Sequence, residues 1–232
     1  YPFLIKHDDK YNSNQPKIIF NEDDKQKYIK EFNENYFFEE YIEGEELSVT
    51  SYFDGENLTN FEPVKVHRTN FSFSSSSCPI FLSYEKYDKL QNYLTKLEHA
   101  LLEDDANFRG FITSNLIWNN NEWFVIDFET STGEKQTQTL LQHLESDFLS
   151  TLLYGTRQKY REKTSATLAI DSKIKDLDSI QNIIDLPSEI KTYPYNINAK
   201  RKMFTLSTTA DFPLKILQEY ADKVIKQKDN HK

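Results

Sequence analysis

The chain has 232 residues, of which 38% are hydrophobic and 14% aromatic, a composition that excludes a disordered protein. Its 28 basic and 37 acidic residues give a net charge of −9, so the surface repels phosphate backbones and general nucleic-acid binding is not expected. A single cysteine, Cys78, excludes an intramolecular disulfide and a cysteine-rich metal cluster.

The single cysteine and the lack of long apolar runs also bear on location. A chain without a cysteine pair is expected in a reducing compartment, and the cytoplasm is the location that we predict. No apolar segment approaches the ~20 residues needed to cross a bilayer, so no membrane association is expected. The first residue is Tyr1 rather than Met, so we expect a chain that begins inside a longer protein or that was trimmed.

The first part of the chain alternates short apolar runs with turn signals. Asp23 and Asp24 predict the start of a helix, and Asp54-Gly55 predicts a hairpin. The serine run Ser74–Ser77 predicts a loop. Strands are predicted at Pro2–Lys6, Lys17–Phe20, Tyr36–Ile42, Leu47–Phe53 and Leu58–Val66.

The second part contains two segments with apolar residues at helical spacing. Tyr84–Leu102 and Thr137–Leu153 are each predicted to be one long helix. The last third is predicted to be a separate unit. Strands interspersed with helices favour an α+β class over a doubly wound sheet. The other predicted elements are strands at Phe111–Trp118, Trp123–Phe128, Thr164–Ile170 and Met203–Ser207, an extended segment at Ile190–Ile197 and a helix at Leu214–Ile225.

The most specific motif is the string from Phe38 to Ser48, which reads FEEYIEGEELS. It has two acids, two apolar residues, a variable residue, Gly44 and then a pair of acids before the next strand. It closely resembles the motif E-E-F-L-x-G-E-E-x-S of the ATP-grasp ligases that are related to phosphoribosylamine–glycine ligase. A solvated acidic turn would account for the charge of this string but not for its order.

Three further segments support the same resemblance. The stretch from Val125 to Gln138 resembles the family segment V-I-E-F-N-x-R-F-G-D-P-E-T-Q, and an amphipathic helix follows it without a gap. Tyr1–Lys6 is similar to the strand that delivers a phosphate-contacting lysine. Val64–Arg68 is similar to the segment that follows the family's hairpin, and Met203–Ile225 corresponds to a shortened C-terminal domain.

The resemblance implies the ATP-grasp fold, in which two α+β subdomains clamp a nucleotide, together with a small C-terminal α+β unit. The expected boundaries are residues 1–42 for part of the small subdomain, 43–163 for the large one and 164–232 for the C-terminal unit. The family's N-terminal domain has no counterpart in this chain. We expect that domain to be missing here or to be supplied elsewhere.

The resemblance also implies a ligase of purine biosynthesis that uses ATP and Mg²⁺ to join a small carboxylate substrate to an amine through an acyl phosphate. Three groups of residues are implied to bind the nucleotide, its metal and the substrate. Asp127 and Glu129, two residues apart on one strand, would hold Mg²⁺. His67 and Arg68 would contact the substrate. The nucleotide contacts would come from Lys6, Lys17, Glu40, Tyr41, Ile42 and Glu46.

The chain departs from the family where phosphate chemistry takes place. The segment from Asp8 to Pro16 has no glycine, although the family's phosphate loop is glycine-rich. Ser131 stands where the family has an arginine that stabilises the transferred phosphoryl group, which leaves Arg68 or Lys135 as the candidate catalytic cations. The alternative function is therefore a degenerate module that binds a nucleotide or a protein partner without turnover. A third alternative is an interaction domain that binds no nucleotide.

Overall fold

The computed structural model describes residues 2–7, 16–32, 36–69, 71–103, 108–133, 136–172, 188–198 and 201–229. These residues form two antiparallel sheets and five α-helices. None of the helices in the described residues has the length and apolar character that a membrane span requires.

The small sheet contains the first three strands in the order β2-β1-β3, where β1 is Phe3–His7, β2 is Lys17–Ile19 and β3 is Tyr36–Glu40. Helix α1, Glu22–Phe32, packs on one face through a core of Ile5, Ile19 and Phe32. Asn21 caps this helix, since its Oδ1 accepts a hydrogen bond of 2.9 Å from the Asp24 backbone N–H. The acids of the first turn suit the helix N-terminus, as the sequence predicts.

The large sheet contains the other nine strands, in the order β11-β12-β10-β7-β6-β4-β8-β9, with β5 paired to β4. Neighbouring strands in this order pair antiparallel, and so do β4 and β5. Helices α2–α5 are Tyr84–Glu103, Gln136–His143, Phe148–Tyr154 and Pro213–Asp229. The strands are β4 Glu45–Phe53, β5 Leu58–Asn60, β6 Val64–Thr69, β7 Ser72–Cys78, β8 Gly110–Asn119, β9 Glu122–Glu129, β10 Thr164–Ser172, β11 Lys191–Asn198 and β12 Arg201–Ala210.

The return strand of the predicted hairpin is divided in two. Strand β5 pairs with the end of β4, and β6 pairs with its beginning, so both strands contact β4 as the hairpin signal predicts. The chain leaves the ladder between them, where Pro63 lacks the N–H that a continuous strand would donate. Phe61, which is buried, keeps one backbone bond of 2.9 Å to the Thr50 carbonyl.

The prediction of a loop at Ser74–Ser77 is wrong, because these residues belong to β7. The strand pairs with β6 on one side and β10 on the other. Ser76 is fully buried, and its hydroxyl lies 2.6 Å from the Thr139 Oγ1 on α3. A serine run resembles a loop in composition, but here the Ser76 hydroxyl finds a buried partner, which makes an interior strand possible.

The prediction of one helix over Thr137–Leu153 is also wrong. The helix ends at His143, and a second helix starts at Phe148. Asp147 is the N-cap of α4 and accepts a 2.7 Å hydrogen bond from the Ser150 N–H. Between the helices, the Glu145 and Ser146 N–H groups both bond to the Lys159 carbonyl. The chain therefore turns where backbone partners outside the helix are available.

The segment after Thr164 continues the large sheet. Strand β10 pairs with β7 in the register Ser165↔Cys78 to Leu168↔Ser75. Helix α5 then covers this part of the sheet with a core of its own, made of Ala166, Ile170, Ile190, Leu206, Leu217 and Ala221. The domain boundaries at 42 and 163 stay predictions.

Candidate nucleotide and metal site

The two faces of the large sheet differ in polarity around β4 and β8. Leu47, Val49 and Leu116 lie on the face that α2 covers with Leu90 and Leu94. Alternation along β4 directs Glu46, Ser48 and Thr50 to the opposite face, here called the polar face. The strand register places Ile117, Asn115 and Thr113 of β8 beside these three residues.

Asp127 and Glu129 extend the polar face onto β9. The register pairs Asp127 with Asn115 and Glu129 with Thr113, so both carboxylates lie on the polar face. A bulge in β9 between Val125 and Asp127 shifts the register, so that Val125 pairs with Leu116. The structure thus brings together the two residues predicted to hold a metal ion, and their role stays a prediction.

Asn115 is a member of this group that the sequence analysis missed. Its Nδ2 donates a 2.9 Å hydrogen bond to Glu129 Oε1, and its buried Oδ1 has no partner among the described residues. Carboxylate and amide oxygens are ligands that Mg²⁺ accepts. The only sequence signal was an asparagine inside an apolar strand, where a polar side chain needs a partner. Asn115, Asp127 and Glu129 therefore form a candidate three-residue site for a hard divalent cation.

Glu45 and Glu46 are neighbours with different surroundings. Glu45 bonds to Lys65 Nζ at 2.7 Å and to Lys86 Nζ at 2.5 Å, which joins β4 to β6 and α2. Lys65, followed by Lys86, holds the pKa of the Glu45 carboxyl below its ordinary value. Glu46 lies on the polar face, where it accepts a 2.7 Å bond from Arg68 Nε. Glu46, which is predicted to bind the ribose, and Arg68, which is predicted to contact the substrate, thus contact each other.

Lys6 and Lys17 lie on opposite faces of the small sheet. The register pairs Ile5 with Lys17, which places Lys17 on the face that α1 covers. Lys6 shares the other face with Glu39, with which it forms an ion pair. Lys6 is thus in a position to exchange Glu39 for another anion on the face opposite α1. Lys17 has no ion pair with any residue in the described ranges.

The segment after β3 carries the predicted contacts with the nucleobase edge. Glu40 is the last residue of β3, and Tyr41 and Ile42 follow it outside regular structure, where their backbone groups have no ladder partner among the described residues. The next two residues contact the end of β8. The Asn119 Nδ2 donates a 2.6 Å bond to the Glu43 carbonyl, and Gly44 lies so close that a Cβ would be 2.0 Å from the Trp118 carbonyl oxygen.

The remaining predicted residues lie apart from the polar face or outside the described ranges. Alternation along β6 places His67 on the face of Lys65, and burial followed by the Lys65 charge lowers the pKa of its imidazole. Lys135 lies outside the described residues, as does most of the glycine-free segment before Pro16. Ser131 is exposed, and its carbonyl accepts a 2.7 Å bond from the Thr113 hydroxyl on the polar face.

Sequence comparison supports the resemblance on which these assignments depend. Phosphoribosylamine–glycine ligase of Halalkalibacterium halodurans is 26% identical over 145 residues, which are 57% of this chain and 34% of that protein. A trifunctional purine biosynthetic protein of Drosophila melanogaster is 26% identical over 124 residues, 49% of this chain and 9% of that protein. The chain spans about a third of the length of the single-function relatives that it matches. No family model matches the chain.

Solved structures share the fold over nearly the whole chain. Phosphoribosylamine–glycine ligase from Thermotoga maritima has a TM-score of 0.69 at 12% identity, with 97% of this chain and 65% of that chain covered. Carboxyaminoimidazole ribonucleotide synthase from Aspergillus clavatus, complexed with ATP, has a TM-score of 0.72 at 14% identity, with 99% and 63% covered. The predicted α+β class and ATP-grasp fold are confirmed.

Proposed function

We propose that this chain is the nucleotide-binding core of an ATP-dependent carboxylate–amine ligase. The observation that carries the proposal is the juxtaposition of Asn115, Asp127 and Glu129 on the polar face, with Glu46 on the same face. Acids on the outer strands of a sheet would by themselves be ordinary surface groups. A buried amide with an unpartnered oxygen between two carboxylates is a costly arrangement in the absence of a ligand, and a cation would relieve it.

Different residues of this chain would bind the metal ion, the phosphates, the ribose and the nucleobase of ATP–Mg²⁺. Asp127, Glu129 and Asn115 would hold Mg²⁺, which when bound neutralises charge on the phosphates. Lys6 would exchange Glu39 for a phosphate oxygen. Glu46 would accept hydrogen bonds from the ribose hydroxyls, and the backbone of Tyr41 and Ile42 would bind the nucleobase edge. The freed guanidinium of Arg68 would then be available to a substrate carboxylate or phosphate.

The substrate proposal is taken from the relatives. Two bacterial proteins at 26% identity are named phosphoribosylamine–glycine ligases, and the Drosophila relative is named as purine biosynthetic. We propose the same reaction class for this chain: an acyl phosphate forms on a carboxylate, and an amine displaces the phosphate. A glycine-like acid and a phosphoribosylamine-like amine are the first substrates to test, in the cytoplasm as the proposed location.

Calorimetry with ATP tests the metal site directly. With Mg²⁺ present, the double variant Asp127→Asn/Glu129→Gln should bind ATP at least tenfold more weakly than the wild type, since two charged ligands are lost. In EDTA the variant should bind ATP at least as tightly as the wild type, because two carboxylates that repel the phosphates have been neutralised. Glu122→Gln is the matched control on β9, because Glu122 is a surface acid that pairs with Lys89. An affinity for ATP that does not respond to Mg²⁺ in the wild type would contradict the assignment.

The second candidate is a nucleotide-binding module without turnover, and one observation favours it. Two hydroxyls of the polar face hold the loop that follows β9: Thr113 donates to the Ser131 carbonyl and Thr50 donates to the Thr132 carbonyl. This loop is therefore fixed at the position where the family has its arginine. A serine supplies no charge to a transferred phosphoryl group. Single-turnover ADP release with a panel of acids and amines separates the candidates: ADP release that depends on an acid supports the ligase, and tight ATP binding without ADP supports the module.

A further inference from the structure

A second group of metal-ligating side chains lies away from the polar-face acids. Cys78 ends β7, His143 ends α3, and Glu62 lies in the connection between β5 and β6. One donor atom from each of the three lies within 4.8 Å of the other two. Within the described ranges it is the one group of three His, Cys, Asp or Glu residues that meets this distance condition.

The imidazole of this cluster is poorly satisfied by the protein itself. Cys78 is fully buried, and its thiol donates a weak hydrogen bond of 3.5 Å to the Pro63 carbonyl. His143 is 1% exposed, and its Nδ1 has no hydrogen-bond partner among the described residues. The His143 Nε2 lies 3.3 Å from Glu62 Oε2, which is longer than the ~2.7–2.9 Å of a strong charge-assisted bond. Buried polar atoms left in this state cost free energy.

The spacing of these donors suits a shared cation better than direct hydrogen bonds. Ligands held about 2.0–2.1 Å from a tetrahedral ion lie about 3.3–3.4 Å from one another. The Nε2–Oε2 distance of 3.3 Å has this value. A sulfur, an imidazole nitrogen and a carboxylate oxygen make up a donor set that favours Zn²⁺ over the hard ions Mg²⁺ and Ca²⁺.

The two alternative uses of the cluster fit less well. A nucleophilic thiol needs a low pKa and an open approach, whereas burial, and then the charge of Glu62, raise the pKa of the Cys78 thiol. A packed core without an ion would leave the buried His143 Nε2 with only the 3.3 Å contact to Glu62 Oε2. A divalent cation would bind the thiolate form and compensate the charge of Glu62 at the same time.

We propose that Glu62, Cys78 and His143 form a Zn²⁺ site that fastens α3 to the large sheet. A metal ion can reach the site from solvent past Glu62, whose side chain is 27% exposed. A water or an external donor would complete four-fold coordination. Tyr160 supports the site, because its ring stacks on His143 at 5.4 Å and its hydroxyl accepts a 3.0 Å bond from the Glu62 N–H. No residue is shared with the candidate Mg²⁺ site.

The test uses the full chain, freed of metal with a chelator and titrated with Zn²⁺ and separately with Co²⁺. The expected result is one Zn²⁺ per chain, a raised melting temperature and, with Co²⁺, a sulfur-to-metal charge-transfer band. Cys78→Ser and His143→Gln should each weaken Zn²⁺ binding at least tenfold. Two controls should bind Zn²⁺ as the wild type does: His99→Gln, which alters an exposed histidine, and Asp127→Asn/Glu129→Gln, which alters the other site.

Three outcomes would overturn the proposal: a wild-type chain that takes up no stoichiometric Zn²⁺, a Cys78→Ser chain that binds as tightly as the wild type, or a Co²⁺ complex without the thiolate band. If either variant does not fold, the wild-type stoichiometry and the Co²⁺ spectrum decide alone, because a sulfur-to-metal band in a chain with a single cysteine identifies Cys78 as the ligand. None of these readouts depends on ATP or on ligase activity.

Discussion

Residues that are adjacent in the sequence have different tasks here because a strand directs them to opposite faces. Glu45 and Glu46 are identical in type and belong to the same motif. The register gives Glu45 to a network with Lys65 and Lys86, and Glu46 to the polar face with Arg68. The motif contains both acids, and alternation along β4 explains why their side chains diverge. Their lysine and arginine partners are 20 or more positions away in the sequence and could not be read from it.

The pair of glutamates can be separated by mutation. Glu45→Gln should lower the stability of the chain to urea and leave ATP affinity unchanged, because Glu45 links three elements away from the polar face. Glu46→Gln should weaken ATP binding about tenfold with little loss of stability, since it removes a charged acceptor. Urea denaturation and calorimetry on both variants check this, and equal effects of the two substitutions on ATP affinity would contradict the division of roles.

Glu45 should also contribute to the pH dependence of stability. Its folded pKa is lowered from the ordinary value of 4.5, first by Lys65 and then by Lys86. The stabilisation is therefore fully present above pH 4.5 and is lost as the pH falls through the lowered folded pKa. Urea denaturation from pH 7 to pH 3 should show the stability difference between wild type and Glu45→Gln shrinking below pH 4.5. A difference that is constant with pH would rule out this source.

At the scale of elements, helices and strands were predicted well where one face is apolar and poorly where polar side chains are buried. Helix α2 and strands β8 and β9 agree with their predicted ranges within two residues, because hydrophobic periodicity governs them. Strand β7 was missed since its serines look solvated. The break after α3 was missed since it depends on the distant Lys159 carbonyl. In both cases the deciding partners lie on other elements.

Hydroxyl groups at the interface between α3 and the sheet should contribute measurably to stability. Thr139 lies 2.6 Å from Ser76 Oγ and donates a 2.7 Å bond to Thr167 Oγ1, so it joins α3 to β7 and β10. Thr139→Val keeps the volume and leaves two buried hydroxyls short of a partner. We expect a loss of about 1–3 kcal/mol in urea denaturation. Thr130→Val, on an exposed threonine, is the matched control and should change stability little.

At the scale of the whole molecule, the resemblance gave the ATP-grasp fold, whereas the sequence did not indicate how far the large sheet extends. The last third looked like a separate unit because its elements are local and self-consistent. The ladder between β7 and β10 joins it to the strands that carry the polar face. A pairing between segments about 90 positions apart leaves no local signature, so only the three-dimensional structure shows it.

Removal of residues 164–232 should therefore damage the part that remains. The truncation would uncover the hydrogen-bonding edge of β7 and leave Thr139 without its partner on β10. Exposed strand edges promote association, so we expect aggregation and a lower melting temperature for 1–163 than for the full chain. Light scattering and thermal denaturation check this. A soluble fragment with the melting temperature of the full chain would show that the last third is independent after all.

The connection between the two sheets is held at one end by Glu43 and Gly44, which contact the end of β8. Strand β3 ends at Glu40, so a tilt of the small sheet would have to be taken up by the backbone torsions of Tyr41 and Ile42. These same two residues are the ones proposed to bind the nucleobase. If Tyr41 and Ile42 bind the nucleobase as proposed, bound ATP would restrict these torsions and thereby the tilt of the small sheet relative to the large one.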